Sequence, residues 1–166
     1  MPMLRHPFKA LALLLLISCH VSAQTPALTI PDFSFFKQDK SLFTNKNLEP
    51  GKKLFFFFFD TDCDHCQHAM LNLNEHYDDY KKAAVYLISL NDKDMINQFM
   101  SKFAPKLKGK QKVTLLLDTK NEFISKFQPR RYPAMFLYTP DKKLADYEDN
   151  AESMFRFSKY LNAPIK

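Results

Sequence analysis

The chain has 166 residues, of which 46% are hydrophobic and 25% charged, with a formal net charge of +6. That length suits one domain with a single core. Only 2 Gly are present, which excludes Gly-rich phosphate loops, and the positive charge forms no basic stripe interleaved with aromatics, which argues against nucleic-acid binding.

Arg5, His6 and Lys9 precede an apolar run over residues 10–17, and Val21-Ser22-Ala23 offers small residues for a signal peptidase. The run is too short for a permanent bilayer span. Residues 1–23 are therefore read as a signal peptide and 24–166 as the domain, exported to the periplasm or cell envelope. The alternative is a lipoprotein, since Leu16-Ile17-Ser18-Cys19 resembles a bacterial lipobox with cleavage before Cys19.

Residues 24–31 read as an extended leader and 32–44 as a small hairpin turning at 37–40. Leu54 and the five phenylalanines after it show no polar alternation, as in a strand covered on both faces. The spacing of Met70, Leu73, Tyr77 and Tyr80 then predicts a helix over about 62–82, capped by Thr61 or Asp62. Residues 84–90 form a second buried strand. Asn91 or Asp92 caps a helix bearing Met95, Ile96, Phe99, Met100 and Phe103, which Pro105 stops. A basic surface loop over 106–112 leads to a strand at 113–117. A short helix follows over 121–127, with Phe123, Ile124 and Phe127 facing inward. Strands at 134–138 and 143–147 pair about a turn, and Asn150 caps a last helix with Met154, Phe157 and Leu161 on one face. A helical crossover makes the strands at 54–59 and 84–90 parallel, whereas the late hairpin is antiparallel. The expected fold class is α/β, a mixed central sheet flanked by helices with an extra N-terminal β-hairpin.

The sequence Cys63-Asp64-His65-Cys66 falls where the first buried strand gives way to a helix. Unpaired N–H groups and the dipole at a helix N-terminus favour a thiolate. Two intervening residues close too tight a loop for a useful structural staple, and export allows disulfide chemistry.

This order of elements, the Cys-x-x-Cys after the first central strand, and Pro133 ahead of a late strand together resemble the thioredoxin fold. The exported leader and front hairpin are most similar to its TlpA/ResA-type branch, over roughly residues 28–164. The resemblance implies thiol–disulfide exchange without a dissociable cofactor. Cys63 would be the attacking thiolate, Cys66 the more buried resolving thiol, and Pro133 a cis proline facing the pair. Tyr132 would present its backbone to a substrate strand. Partners would be proteins with disulfides or thiols and an electron donor or acceptor protein at the membrane; the chain is read as a monomer, membrane-bound only if lipidated.

Three departures from the family matter. Asp62 stands where an aromatic is usual, and Phe57 and Ala69 stand where relatives place proton-accepting acids. Asp60, Asp62 and His68 are the substitutes. His65 would stabilise the Cys63 thiolate while Asp62 and Asp64 oppose it, leaving the direction of electron flow open. Two alternatives use the same residues: a Cu(I) or Zn²⁺ site with His65 or His68, and a redox-inactive interaction module. His76 reads as solvated surface, Tyr77 and Tyr80 as core, Asp118 as a strand end and Asp141 as a turn. Arg130 and Arg131 flank the expected substrate groove, where they would steer acidic partners or, as two exposed arginines more often do, only aid solubility.

Overall fold

The computed structural model describes residues 24–162, so the signal-peptide and Cys19 readings lie outside the described residues. Every residue of β3 (Leu54–Phe59) and of β4 (Ala84–Ser89) is buried. Alternation along the strand explains why β3 needs no polar residue. Phe55, Phe57 and Phe59 enter one core layer, whereas Leu54, Phe56 and Phe58 enter the layer on the opposite face of the sheet.

Seven strands form one sheet in the order β2-β1-β5-β4-β3-β6-β7. The others are β1 (Ser34–Lys37), β2 (Leu42–Thr44), β5 (Val113–Leu117), β6 (Ala134–Tyr138) and β7 (Leu144–Glu148). β3, β4 and β5 run parallel, and β6 lies antiparallel to β3, with Phe56 opposite Phe136. The β1–β2 hairpin joins the same sheet through an antiparallel contact with β5. The mixed α/β sheet and the N-terminal hairpin are as the sequence predicts.

One face is covered by α1 (Asp64–Glu75), α2 (Tyr77–Tyr80), α3 (Lys93–Phe103) and α5 (Arg156–Asn162). Met70, Leu73, Ile96, Phe99, Phe157 and Leu161 pack there against the odd-numbered phenylalanines of β3. The other face is aromatic. Phe33, Phe35, Phe123, Phe127 and Phe136 cluster around Phe56 and Phe58, with Phe123 and Phe127 of α4 (Glu122–Phe127) stacked at 4.2 Å. Burying each such side chain contributes about 1.5–3 kcal/mol.

Three expectations are corrected, and the choice between two caps for α3 is resolved. The helix predicted over 62–82 begins at Asp64 and breaks at His76, whose backbone (φ −103°, ψ 23°) leaves the helical region. The separate turn α2 lets Tyr80 bury fully and donate its hydroxyl to the Met154 carbonyl at 3.1 Å. Asp92 caps α3, while Asn91 has a different task described below. Ile124, predicted inward, is 40% exposed because the two phenylalanines of its short helix take the inner face. Asp118 is more than a strand end: it is 1% exposed and accepts the backbone N–H groups of Glu122 (2.9 Å) and Phe123 (2.7 Å). It thereby satisfies two donors at the start of α4.

Candidate active site

β3 ends at Phe59, and the next three residues form a tight turn. Asp60 Oδ1 accepts the N–H of Asp62 at 2.8 Å, and the Asp60 carbonyl accepts the N–H of Cys63 at 3.4 Å. With these donors satisfied inside the turn, the helix cannot start at Thr61 or Asp62 as predicted. The N-cap is instead Cys63 (φ −87°, ψ 114°), whose sulfur accepts the N–H of Cys66 at 3.2 Å. A thiolate there would receive the helix's unpaired donor as well as its dipole. The end of β4 steadies this turn: Asn91 Oδ1 accepts the Thr61 N–H at 3.0 Å and the Ser89 hydroxyl at 2.8 Å.

The two cysteines are free thiols in unequal surroundings. Cys63 is half-buried and Cys66 is fully buried beneath it. Burial pushes the Cys66 thiol well above its ordinary range, and the hydrogen bond with Cys63 adds to this. Asp60 acts on it twice, its backbone N–H lowering the value and its carboxylate raising it. Cys66 is thus held as a thiol while Cys63 faces outward. Iodoacetamide under native conditions should modify Cys63 at least tenfold faster than Cys66, with the difference vanishing in denaturant; peptide mass mapping checks this.

The peptide between Tyr132 and Pro133 is cis. The half-buried Tyr132 ring stacks on Phe58 at 4.8 Å. Its hydroxyl is pushed up to about 12, first by burial and then by the charges of Asp60, Cys66, Asp118 and Cys63. Cys63, Cys66, Asp60 and Tyr132 therefore share one locale at the C-terminal end of β3. Asp62, Asp64, His65 and His68 are exposed around it. Phe57 and Ala69, in the places of the family acids, are fully buried in the apolar layer. Among the described residues, no group of three His, Cys, Asp or Glu side chains is arranged to hold a metal ion, so the copper or zinc alternative has no geometric support.

Two features escaped the sequence reading. Ser89 and Asn91 hold the cysteine turn from a neighbouring strand, which only the parallel β3–β4 register could disclose. The second is the anchor of Arg130 and Arg131, read as groove-flanking or solubilising charges: both pair with the buried Asp149 at 2.9 Å.

Solved structures share this architecture. One is a secreted Mycobacterium tuberculosis disulfide oxidoreductase homologous to E. coli DsbE (TM-score 0.64, 20% identity, 80% of this chain and 96% of that one). Another is the thioredoxin domain of a thiol-disulfide oxidoreductase from Bacteroides vulgatus (TM-score 0.67, 14% identity, 83% and 99%). A third is copper-bound ScoI of Arabidopsis thaliana (TM-score 0.60, 19% identity, 81% and 98%). At these identities the likeness establishes the thioredoxin-like fold. No curated protein matches the sequence. The AhpC/TSA family model matches residues 26–147, most of the chain. The chain is therefore a member of the AhpC/TSA family with a thioredoxin-like fold.

Proposed function

We propose that this protein is a thiol–disulfide oxidoreductase acting on cysteine-containing proteins of the cell envelope. The observation that carries the reading is the asymmetric pair: an accessible Cys63 sulfur capping α1, with the buried Cys66 thiol one helical turn behind it. Family membership and the oxidoreductases among the structural neighbours support it. Export is supported by the apolar leader and by the mycobacterial neighbour, which is a secreted protein.

In the reducing direction, the Cys63 thiolate attacks one sulfur of a substrate disulfide. The substrate S–S bond breaks, a Cys63–substrate disulfide forms, and the other substrate sulfur leaves as a thiolate. Cys66 then loses its proton and attacks Cys63 Sγ. The mixed disulfide breaks, the second substrate sulfur departs, and Cys63–Cys66 is oxidised as the substrate gains two electrons. The oxidised protein runs the same steps backward. Pro133 and Tyr132 would seat the substrate strand beside Cys63.

The resolving step needs a proton acceptor because Cys66 is held as a thiol. Asp60 is the substitute whose charge reaches Cys66, and it is half-buried, whereas Asp62 and His68 are exposed. Asp60→Asn should therefore slow resolution about a hundredfold near neutral pH, the low end of the 10²–10⁴ range for general-base loss. The deficit should shrink as pH rises, because hydroxide then deprotonates Cys66 directly. Stopped-flow kinetics of a preformed mixed disulfide gives this rate, and a pH-independent deficit would argue for a purely structural Asp60.

Turbidimetric insulin reduction with dithiothreitol as electron source tests the reading as a whole. Acceleration by catalytic amounts of protein is expected, and no acceleration together with no oxidation of a dithiol substrate would overturn it.

A further inference from the structure

Arg130 and Arg131 lie immediately ahead of Tyr132, at the rim of the site, and neither is a loose surface charge. Asp149, just past the end of β7, binds both. Its Oδ2 meets Arg130 Nε at 2.9 Å, and its Oδ1 meets Arg131 Nη2 at 2.9 Å and Nε at 3.1 Å. The Tyr147 hydroxyl donates to the same carboxylate at 3.2 Å and accepts the Arg130 backbone N–H at 3.0 Å. The Arg130 guanidinium lies 4.7 Å over the Tyr147 ring, a cation–π contact. These contacts fix the planes of two side chains that would otherwise sample many rotamers.

The charges do not cancel. Two guanidinium groups share one carboxylate, and their side chains are 52% and 66% exposed while that of Asp149 is 8% exposed. The acid is buried beneath them, one positive charge remains in excess, and N–H donors of both forks stay accessible to solvent. The cysteine segment itself carries the opposite sign. Asp62 and Asp64 are exposed beside Cys63, and no lysine or arginine occurs between residues 54 and 80. The excess positive charge lies on the Arg130–Arg131 pair itself, whereas the acids whose charges reach the Tyr132 hydroxyl are Asp60 and Asp118.

We propose that Arg130 and Arg131, oriented by Asp149, form a carboxylate-binding subsite beside Tyr132 that selects protein substrates with an acidic residue next to the reactive cysteine. The proposal rests on the thiol–disulfide reading above and names its substrate class. Arg130 and Arg131 determine specificity by direct, charge-assisted hydrogen bonds, and Asp149 is a positioning residue.

The test uses the full chain and two disulfide-bonded peptides that differ only by Glu or Gln beside the target cysteine. Wild type should show kcat/KM about fivefold higher for the Glu peptide, expressed in KM and shrinking with added salt. The double variant R130Q/R131Q should bring the ratio to about 1. The variant R130K/R131K should keep only part of it, because an ammonium group lacks the planar fork. Asp149→Asn should lower the Glu/Gln ratio through KM, which loss of stability alone would not do. A wild-type ratio of 1, or a double variant that keeps the preference, would overturn the subsite. Serine versions of both peptides, which cannot exchange, are titrated in parallel by NMR. Tighter binding of the Glu form without turnover upholds the subsite and sinks the redox reading. Turnover with equal binding of the two forms does the reverse.

Discussion

Cys63→Ser should remove insulin reduction entirely, and Cys66→Ser should turn the protein into a trap for its substrates. Both outcomes follow from the burial difference between the two sulfurs. Only Cys63 reaches solvent, at a position where the Cys66 N–H already points at its sulfur. A serine hydroxyl in that place is not ionised near neutral pH and cannot attack a disulfide, so the loss should be on the order of 10⁴-fold or down to background. Cys66→Ser leaves the attacking sulfur intact but removes the group that releases the product. A mixed disulfide should then accumulate to near one equivalent, visible as a reductant-sensitive adduct in intact-mass spectra. If Cys66→Ser turned over like wild type, or if Cys63→Ser formed the adduct instead, the assigned roles would be reversed or void.

The second large effect is on stability. Phe56→Ala should cost about 3–5 kcal/mol, the usual range for removing a buried aromatic ring. Phe56 is fully buried and packs against Tyr86 at 5.0 Å, Phe127 at 5.4 Å, Tyr138 at 5.7 Å and Phe33 at 6.1 Å between ring centroids. It joins three separate elements and the segment ahead of β1, which leaves the cavity little room to collapse. At roughly 2–4 °C per kcal/mol for a chain of this size, Tm should fall by about 10 °C. Phe155→Ala is the control: that ring is 70% exposed, and its loss should stay within about 0.5 kcal/mol. Urea titration of the two variants beside wild type gives both numbers. Equal destabilisation by the two would mean that the layered core is wrongly drawn.

The sheet was legible because unbroken apolar runs such as residues 54–59 and 84–89 leave no other solution than strands covered on both faces. The cysteine pair was legible for the same reason, since its place follows from the strand before it and the helical spacing after it. The helix start was misjudged by two residues because side-chain oxygens are the usual caps, and here a sulfur performs the task. The break at His76 depends on where Tyr80 finds a partner, the Met154 carbonyl 74 positions away, which no local pattern records. The arginines beside Tyr132 were legible as charges flanking the groove, but their anchor was not: Asp149 lies 18 positions past Arg131, and the β6–β7 hairpin brings it back to them. Seating of a substrate strand by Tyr132 and Pro133 came from the family resemblance and remains a proposal that the trapped Cys66→Ser adduct can address.

In the proposed mechanism Asp60 would stand in for the missing family acids as the group that takes the Cys66 proton. Phe57 and Ala69 cannot take a proton, and the apolar layer around them would make an acid there costly unless paired. Moving the acid to the strand-end turn keeps it half-buried and close enough to act on Cys66 while leaving the core apolar. The same residue braces the turn that delivers Cys63, through its contacts with the Asp62 and Cys63 N–H groups.

The most direct test of the central claim is a redox titration of the Cys63–Cys66 pair in glutathione and dithiothreitol buffers, scored by alkylation and intact mass. The expected result is a single two-electron transition between dithiol and intramolecular disulfide, with a midpoint between about −270 and −120 mV, the span from thioredoxin to DsbA. A pair that stays reduced throughout that span, or that yields only glutathione adducts without the internal disulfide, would contradict it.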